Sequence, residues 1–227
     1  MRALIFGSIG VLVETSELQR QAYNAAFAAH GLDWHWNVAT YCQLLATPGG
    51  QRRLSRLSEG KLSDTQIAQI HETKQQVFGE LMASGVSARP GIIDSIAMAG
   101  LHGLKIGFVT TTTPETLELV GTALDGQIDF SIFDIVTSKA DVAREKPDSE
   151  VYRYALGKLG IDAADVLAFE DTAVNQGAAI NAGLTCHLFA GEYAVTTGAR
   201  LQTQNPAQKL DRILTGTSRH DRNVAAE

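Results

Sequence analysis

The N-terminal segment that indicates the architecture reads Leu4-Ile5-Phe6-Gly7-Ser8-Ile9-Gly10-Val11-Leu12-Val13-Glu14-Thr15. Its apolar run breaks at Gly7 and Gly10, a pattern typical of a buried strand that opens into a tight loop. In an α/β sheet, a loop at the carboxyl end of a strand is the usual place for a phosphate site. The segment therefore predicts an α/β protein with a candidate phosphate site near residue 7.

Composition restricts the classes of function. The chain has 227 residues, a net charge of -6, 44% hydrophobic residues and 19% charged residues. It is long enough for one large or two small domains with an ordinary core. Nucleic acids and anionic membranes require basic patches, so the mild acidity argues against both as partners. The local basic group of Arg52, Arg53 and Arg56 is typical of a solvated helix face.

Signals for export and membrane insertion are weak. The apolar run after Met1-Arg2 is followed directly by Glu14 and Glu17, without a small-x-small cleavage pattern. No segment approaches the roughly 18–20 apolar residues that span a bilayer. Cys42 and Cys186 are far apart and lack C-x-x-C spacing, which favours unpaired thiols in a reducing compartment. We expect a cytoplasmic protein.

Helical and strand patterns divide the chain. Residues 15–87 show helical spacing without a strand signal and predict a helical cap inserted after the first strand. From Arg89-Pro90-Gly91 onward, strands predicted over 105–110, 133–137, 165–169 and 185–189 alternate with helices predicted over 92–101, 114–124, 150–159 and 172–182. Such alternation indicates a doubly wound parallel sheet. We predict an α/β core of residues 1–14 and 88–214, a cap of residues 15–87, and a flexible tail of residues 215–227.

The first segment closely resembles the opening motif of haloacid dehalogenase-like (HAD) hydrolases, Asp-x-Asp-Gly-x-Leu-x-Asp-Thr. In that family the first Asp is the nucleophile and the second is the general acid/base. Here the two positions hold Gly7 and Ile9. The resemblance therefore implies the frame of a phosphatase site without its catalytic acids.

Three further blocks resemble the remaining motifs of the family, each at the end of a predicted strand. Thr110 and Thr111 match the hydroxyl motif that contacts the transferring phosphoryl group. Lys146, before Pro147, matches the lysine that neutralises phosphate and nucleophile. Glu170 and Asp171 match the acidic pair that binds Mg²⁺. The resemblance covers residues 2 to 190 and implies a Rossmannoid core with phosphate-binding residues.

The inserted segment resembles the helical cap of the CbbY-type branch, which is related to phosphoglycolate phosphatases. Enzymes of that branch remove a phosphate from xylulose bisphosphate, and their cap residues grip the other phosphate. Arg53 matches the cap arginine, whereas Gln51 stands where a lysine is usual and Gln19 where a histidine is usual. These departures extend beyond the nucleophile and leave the substrate open.

The lost acids predict a pseudoenzyme. Phosphomonoester hydrolysis needs up to ~10²¹-fold acceleration, and general acid/base help alone is worth roughly 10²–10⁴. Neither Gly7 nor Ile9 can attack phosphorus or transfer a proton. We expect a protein that binds inorganic phosphate, a phosphorylated sugar or a protein partner without efficient hydrolysis. Two alternatives stay open: a hydrolase with a relocated nucleophile or a substrate-assisted route, and a structural subunit of an active homologue.

Neither nearby polar residue is a strong substitute nucleophile. Strand alternation predicts that Ser8 points to the opposite side of the site from residue 7. Glu14 lies beyond the loop and is expected to serve as an acid at the start of a helix.

The remaining acids leave two interpretations of the metal site. Mg²⁺ can be held by one or two carboxylates with water and phosphate, so Glu170 and Asp171 could retain a weak, ligand-dependent site. Alternatively, Lys146 pairs directly with Asp171 and closes the pocket. In either case, loss of two acids near Lys146 should favour an anion there, assisted by loop amides.

Several of these residues also have ordinary structural interpretations. The threonines at 110–113 can cap the helix that starts at Pro114. Lys146 and Pro147 can form a simple turn. Trp34 and Trp36 are more typical of packing inside the cap than of ligand stacking, and His35 is expected to be exposed or structurally bonded.

Overall fold

A five-stranded parallel sheet forms the centre of the computed structural model, which describes residues 1–45, 49–193 and 203–216. The strand order is β3-β2-β1-β4-β5. The strands are β1 (Ala3–Phe6), β2 (Lys105–Val109), β3 (Ile135–Thr137), β4 (Val166–Glu170) and β5 (Thr185–Leu188). This confirms the predicted doubly wound parallel α/β fold.

Strand β1 is the central strand of the sheet, and all four of its side chains are buried. Phe6 is in register with Phe108 of β2 on one side and Phe169 of β4 on the other. The chain runs outward from β1 to β2 and β3, and then returns to β4 on the opposite side. The strand order reverses there, so the carboxyl ends of β1 and β4 flank the position where α/β proteins bind ligands.

Side-chain alternation along the strands divides the core into two layers. Leu4, Phe6 and Phe169 belong to one apolar cluster, whereas Ala3 and Ile5 belong to another on the opposite face. A period of two is expected for strands buried on both faces. The helices that cover them are α1 (Ile9–Leu12), α6 (Ile92–Leu101), α7 (Pro114–Ala123), α8 (Glu150–Leu159), α9 (Ala173–Asn181) and α10 (Pro206–Leu214).

The segment between β1 and β2 is helical, as predicted. It contains α2 (Ser16–Ala29), α3 (Val38–Leu44), α4 (Gly50–Ser58) and α5 (Asp64–Ala83). Ser63 and Gln66 form a reciprocal capping box at the start of α5, which satisfies two otherwise unpaired amides. No described helix is long and apolar enough to cross a membrane.

An aromatic cluster holds this helical segment together. Trp36 is buried between Tyr23 and Tyr41, with ring centroids 4.5 Å and 5.9 Å away. Trp34 meets Phe27 edge-on. The tryptophans therefore pack within the segment, as predicted. His35 is exposed, also as predicted, and Cys42 and Cys186 are free thiols.

Most predicted elements lie within two residues of their predicted ends, and α6 and α8 match at both ends. The largest difference is in the third strand, which begins at Ile135 rather than Phe133. There the Asp134 carboxylate accepts a hydrogen bond from the Ile106 amide, which replaces a backbone ladder bond. Helix α10 was not predicted as an element. In the predicted tail, residues 217–227 lie outside the described residues, as do residues 46–48 of the cap segment.

Candidate active site

The two positions that would carry the catalytic acids lie directly after β1. The Gly7 amide donates to the Phe169 carbonyl at 2.8 Å, which extends the β1–β4 ladder by one residue. Ile9 begins α1 and packs, partly buried, against the apolar cluster beside Phe6. Its side chain therefore contributes to the core and supplies no proton donor.

The space beside Gly7 is already filled. A Cβ at this position would lie 2.5 Å from the Tyr152 hydroxyl oxygen and still closer to the Glu170 carboxyl group. Real Cβ atoms do not make such short contacts, so these two side chains exclude any larger residue unless they move. Glu170 is the last residue of β4, and Tyr152 projects from α8.

Lys146 lies at the meeting point of three strands. Its ammonium donates to the Gly7 carbonyl at 2.5 Å, the Val109 carbonyl at 2.8 Å and the Glu170 carboxylate at 2.5 Å. The Tyr152 hydroxyl oxygen is 3.1 Å away. Lys146 is buried, and the ion pair and carbonyl oxygens compensate its loss of hydration. Lys146 therefore links the ends of three strands at the site and is more than a turn residue.

Glu170 is fully buried and receives a donor at each oxygen. Tyr152 and Lys146 donate to Oε1, and Ser8 donates to Oε2 at 2.5 Å. The prediction that Lys146 pairs directly with Asp171 is therefore wrong. The missing side chain at Gly7 leaves room for the Glu170 carboxylate, and this carboxylate, not that of Asp171, forms the ion pair with Lys146.

The prediction that Ser8 points away from the site is also wrong. Its hydroxyl donates to Glu170 and accepts from the Asn175 side-chain amide at 3.1 Å. The loop bends after Phe6, so strand alternation no longer applies at residue 8. Glu170 is a poor base for activating this hydroxyl, because its charge is already shared with Lys146 and Tyr152. Glu14 behaves as predicted, since it accepts from the Ser16 amide at the start of α2.

Asp171 lies beside this group and packs against Gly10. A Cβ at Gly10 would overlap the Asp171 carboxylate. Burial, followed by the nearby Glu170 charge, raises the pKa of Asp171 to about 7. Within residues 1–45, 49–193 and 203–216, no group of three His, Cys, Asp or Glu side chains could hold a metal ion. With Glu170 ion-paired, these residues do not by themselves fit a Mg²⁺ site.

The threonines after β2 have a structural role. The Thr110 hydroxyl is buried and accepts from the Thr112 amide at 3.1 Å. Thr111 is half-buried beside it. Thr113 is the N-cap of α7 and accepts from the Thr116 amide. The predicted capping role is therefore found at Thr113, whereas Thr110 shapes the preceding loop.

The cap residues predicted from the sequence differ in their exposure to solvent. Arg53 is half-buried, with its guanidinium about 6 Å from the Tyr23 and Tyr41 rings (6.0 and 5.9 Å). Arg52 and Arg56 are exposed, so only two of the three arginines match the predicted solvated face. Gln51 is exposed as well.

Sequence reasoning missed a buried cation nearby. The Lys74 ammonium donates to the side-chain oxygens of Gln19 and Gln75, and it lies 5.1 Å from the centroid of the Tyr23 ring. Burial, together with the charge of Arg53, lowers the pKa of Lys74 to about 7. The available signal was its position on the apolar stripe of α5, in helical spacing with Ile70, Phe78 and other buried residues.

His71 lies close enough to Lys74 and Arg53 for their charges to affect its pKa. Burial lowers the pKa of His71 to about 4, with further contributions from the charges of Lys74 and Arg53. A Cβ at Gly50 would collide with the His71 ring and lie 2.6 Å from the Tyr23 hydroxyl. The start of α4 is thus pressed against α2 and α5, close to the cationic side chains.

The parallel sheet gathers Lys146 and the groups that it contacts at the ends of β1, β2 and β4, which is where α/β proteins with such sheets bind ligands. A haloacid dehalogenase-like hydrolase family model matches residues 1–183, and the chain belongs to this family. Among curated proteins it is similar to protein CbbY of Rhodobacter capsulatus, with 39% identity over 85% of this chain and 87% of the relative.

Solved structures show the same relationship. The crystal structure of CbbY from Rhodobacter sphaeroides in complex with phosphate has a TM-score of 0.79 and 34% identity, and covers 92% of this chain and 96% of that one. A variant of that protein in complex with xylulose-(1,5)bisphosphate has a TM-score of 0.80 and 35% identity, with the same coverage. The predicted CbbY-type resemblance is confirmed.

Proposed function

We propose that this chain is a CbbY-like member of the family that binds a phosphorylated sugar or inorganic phosphate without efficient hydrolysis. One observation carries the proposal. The position of the nucleophile has no side chain, and the carboxylate that fills its space belongs to Glu170, which is ion-paired with Lys146. That carboxylate cannot serve as a free nucleophile, because Lys146, Tyr152 and Ser8 donate hydrogen bonds to its two oxygens.

The loss of catalysis follows from the chemistry that remains. Gly7 cannot form a covalent phosphoryl intermediate, and Ile9 cannot protonate a leaving oxygen. Residues that act as a unit in catalysis can each cost on the order of 10⁶ in rate when removed. Positioning of the ligand alone leaves a rate well below that of a working phosphatase.

The binding residues are part of the same proposal. The candidates are the residues that match the family's binding positions: Lys146, Thr110 and Thr111 in the core, and Arg53 and Gln51 in the cap. Residues 1–14 and 88–214 act as the core, and residues 15–87 act as the cap. The related CbbY structures contain phosphate and xylulose bisphosphate, which makes a sugar bisphosphate the first ligand to test. A cytoplasmic location is proposed with it.

Magnesium has a reduced role in this proposal. Of the two acids Glu170 and Asp171, only Glu170 forms an ion pair with Lys146. Asp171 is left as the candidate ligand, and a single carboxylate holds Mg²⁺ only together with oxygens of the bound ligand and water. We therefore expect Mg²⁺ to affect stability when a phosphorylated ligand is present and to have little effect alone.

Thermal stabilisation and phosphate release, measured on the same samples, test the proposal. The probes are inorganic phosphate and xylulose 1,5-bisphosphate, each with and without Mg²⁺. A ligand at 100 times its Kd should stabilise the protein by about 2.7 kcal/mol. We expect a shift with the bisphosphate and no multiple-turnover release of phosphate.

Two results would contradict the proposal. Rapid release that disappears in Ser8→Ala would establish a relocated nucleophile. No stabilisation by any phosphorylated probe would instead favour a protein-partner role or a structural subunit of an active homologue.

A further inference from the structure

The Glu170 carboxylate occupies the place where the Lys146 ammonium would meet an incoming anion. We propose that Glu170 is a built-in anion that closes the Lys146 subsite to phosphate, so that a phosphorylated ligand binds chiefly through groups outside this subsite. The inference rests on the proposed function, because it concerns which part of that site holds the ligand.

The hydrogen bonds of Lys146 are already complete. An ammonium has three protons to donate, and four oxygens surround this one at 2.5–3.1 Å. Two of them are backbone carbonyls fixed by the strands β1 and β2. A phosphate oxygen can therefore reach Lys146 only by displacing Glu170 or Tyr152.

Three features hold Glu170 in this place. Tyr152 and Ser8 donate to its two oxygens, so the carboxylate is oriented from both sides. The absence of a Cβ at Gly7 supplies the room, since a side chain there would overlap the carboxyl group. Complete burial strengthens the attraction to Lys146 because little water screens the charges.

Glu170 and phosphate therefore compete for one cation. A bound phosphate must separate the ion pair and leave a buried carboxylate beside its own negative charge, which is costly. Neutralising Glu170 removes both penalties and leaves a buried cation without a counter-ion. The subsite should then favour an external anion.

The test compares the affinity for inorganic phosphate of the wild-type chain and of Glu170→Gln, by calorimetric titration and thermal shift. Glutamine keeps the size of the side chain, and its one carbonyl oxygen can still accept from one of the two hydroxyl groups that donate to Glu170. We expect Glu170→Gln to bind phosphate at least about tenfold more tightly. The double variant Lys146→Met/Glu170→Gln is the matched control and should lose that gain, because it retains the neutral side chain but lacks the cation.

A second variant keeps the test decisive if Glu170→Gln does not fold. Tyr152→Phe leaves both charges in place but removes one donor to Glu170, and it should raise phosphate affinity by a smaller factor. Equal phosphate affinity in the wild type and in whichever of these variants folds would overturn the inference. So would a gain in affinity that persists without Lys146.

Failure of the inference and failure of the proposed function give different results. If the wild type binds xylulose 1,5-bisphosphate and Glu170→Gln gains no phosphate affinity, the inference fails and the proposed function stands. If the wild type binds no phosphorylated probe but Glu170→Gln binds phosphate through Lys146, the proposed function fails and Glu170 is shown to close the subsite.

Discussion

Two buried lysines in this molecule have opposite surroundings. Lys146 lies at the ends of three strands against the Glu170 carboxylate, whereas Lys74 lies on α5 against amide oxygens and aromatic rings. Among the described residues, no carboxylate forms an ion pair with Lys74. The comparison shows that burial alone does not determine what a lysine contributes: Lys146 stabilises a buried acid, whereas burial disfavours the charged form of Lys74.

Lys146→Met should have the largest effect, because it leaves Glu170 buried without its cation. Breaking one side of a buried pair typically costs 3–5 kcal/mol, and we expect a loss of about that size in the free energy of unfolding. Urea titration at pH 7 measures it. A loss no greater than that of Lys74→Met would remove the contrast between the two lysines.

Gly7→Ala should come next, because the added methyl group meets Glu170 and Tyr152. Overpacking of a buried site typically costs about 1–3 kcal/mol. Gly7→Asp adds a second carboxylate to the same place and should be less stable than Gly7→Ala, with little gain in phosphatase activity. Gly7→Asp combined with Ile9→Asp is the variant in which activity can return. A stable and active Gly7→Asp would show that Glu170 leaves this space easily.

Lys74→Met should change stability in the opposite direction. The pKa of Lys74 in the folded protein is about 7, below its ordinary value of 10.5, so the unfolded chain binds the proton more tightly. Wild-type stability should therefore rise as the pH increases from about 7 to 10.5. Below pH 7 the variant should be more stable by about 1–2 kcal/mol, and its advantage should disappear above pH 10. A destabilised variant at pH 6 would contradict this account of Lys74.

His71→Gln should have the smallest effect on the free energy of unfolding. It tests the environment that His71 shares with Lys74 and Arg53. The folded pKa of His71 is about 4, below its ordinary value of 6.5. The wild type should lose stability as the pH falls from 6.5 to 4, because the unfolded chain takes up the proton first. The variant should reduce that loss by about 1 kcal/mol in acid denaturation profiles. An unchanged profile would show that His71 is solvated.

Periodicity and turn residues were sufficient to predict the architecture. The apolar run before Gly7 and the strand–helix alternation after Arg89 gave the parallel sheet and its order of elements. Helix α10 was missed although Asn205 and Pro206 are a regular N-cap and first-turn pair. Its helical spacing covers only nine residues, which is a short stretch in which to recognise a period of 3.6.

The contents of the site were less predictable than its position. The motifs located Lys146, Glu170 and Asp171 at one edge of the sheet, but the choice of partner for Lys146 depends on the space left by Gly7. That space depends on the packing of Tyr152 from a different element. Lys74 could have been identified from its place on the apolar stripe of α5, but its amide partners come from two helices.

A double-mutant cycle between Lys146 and Glu170 tests the central claim most directly. It compares the free energies of unfolding of the wild type, Lys146→Met, Glu170→Gln and the double variant. The account predicts a coupling energy of about 2–3 kcal/mol, so the double variant should lose that much less stability than the sum of the two single losses. Additive losses, with a coupling energy near zero, would show that Glu170 does not neutralise Lys146 in place of the missing nucleophile.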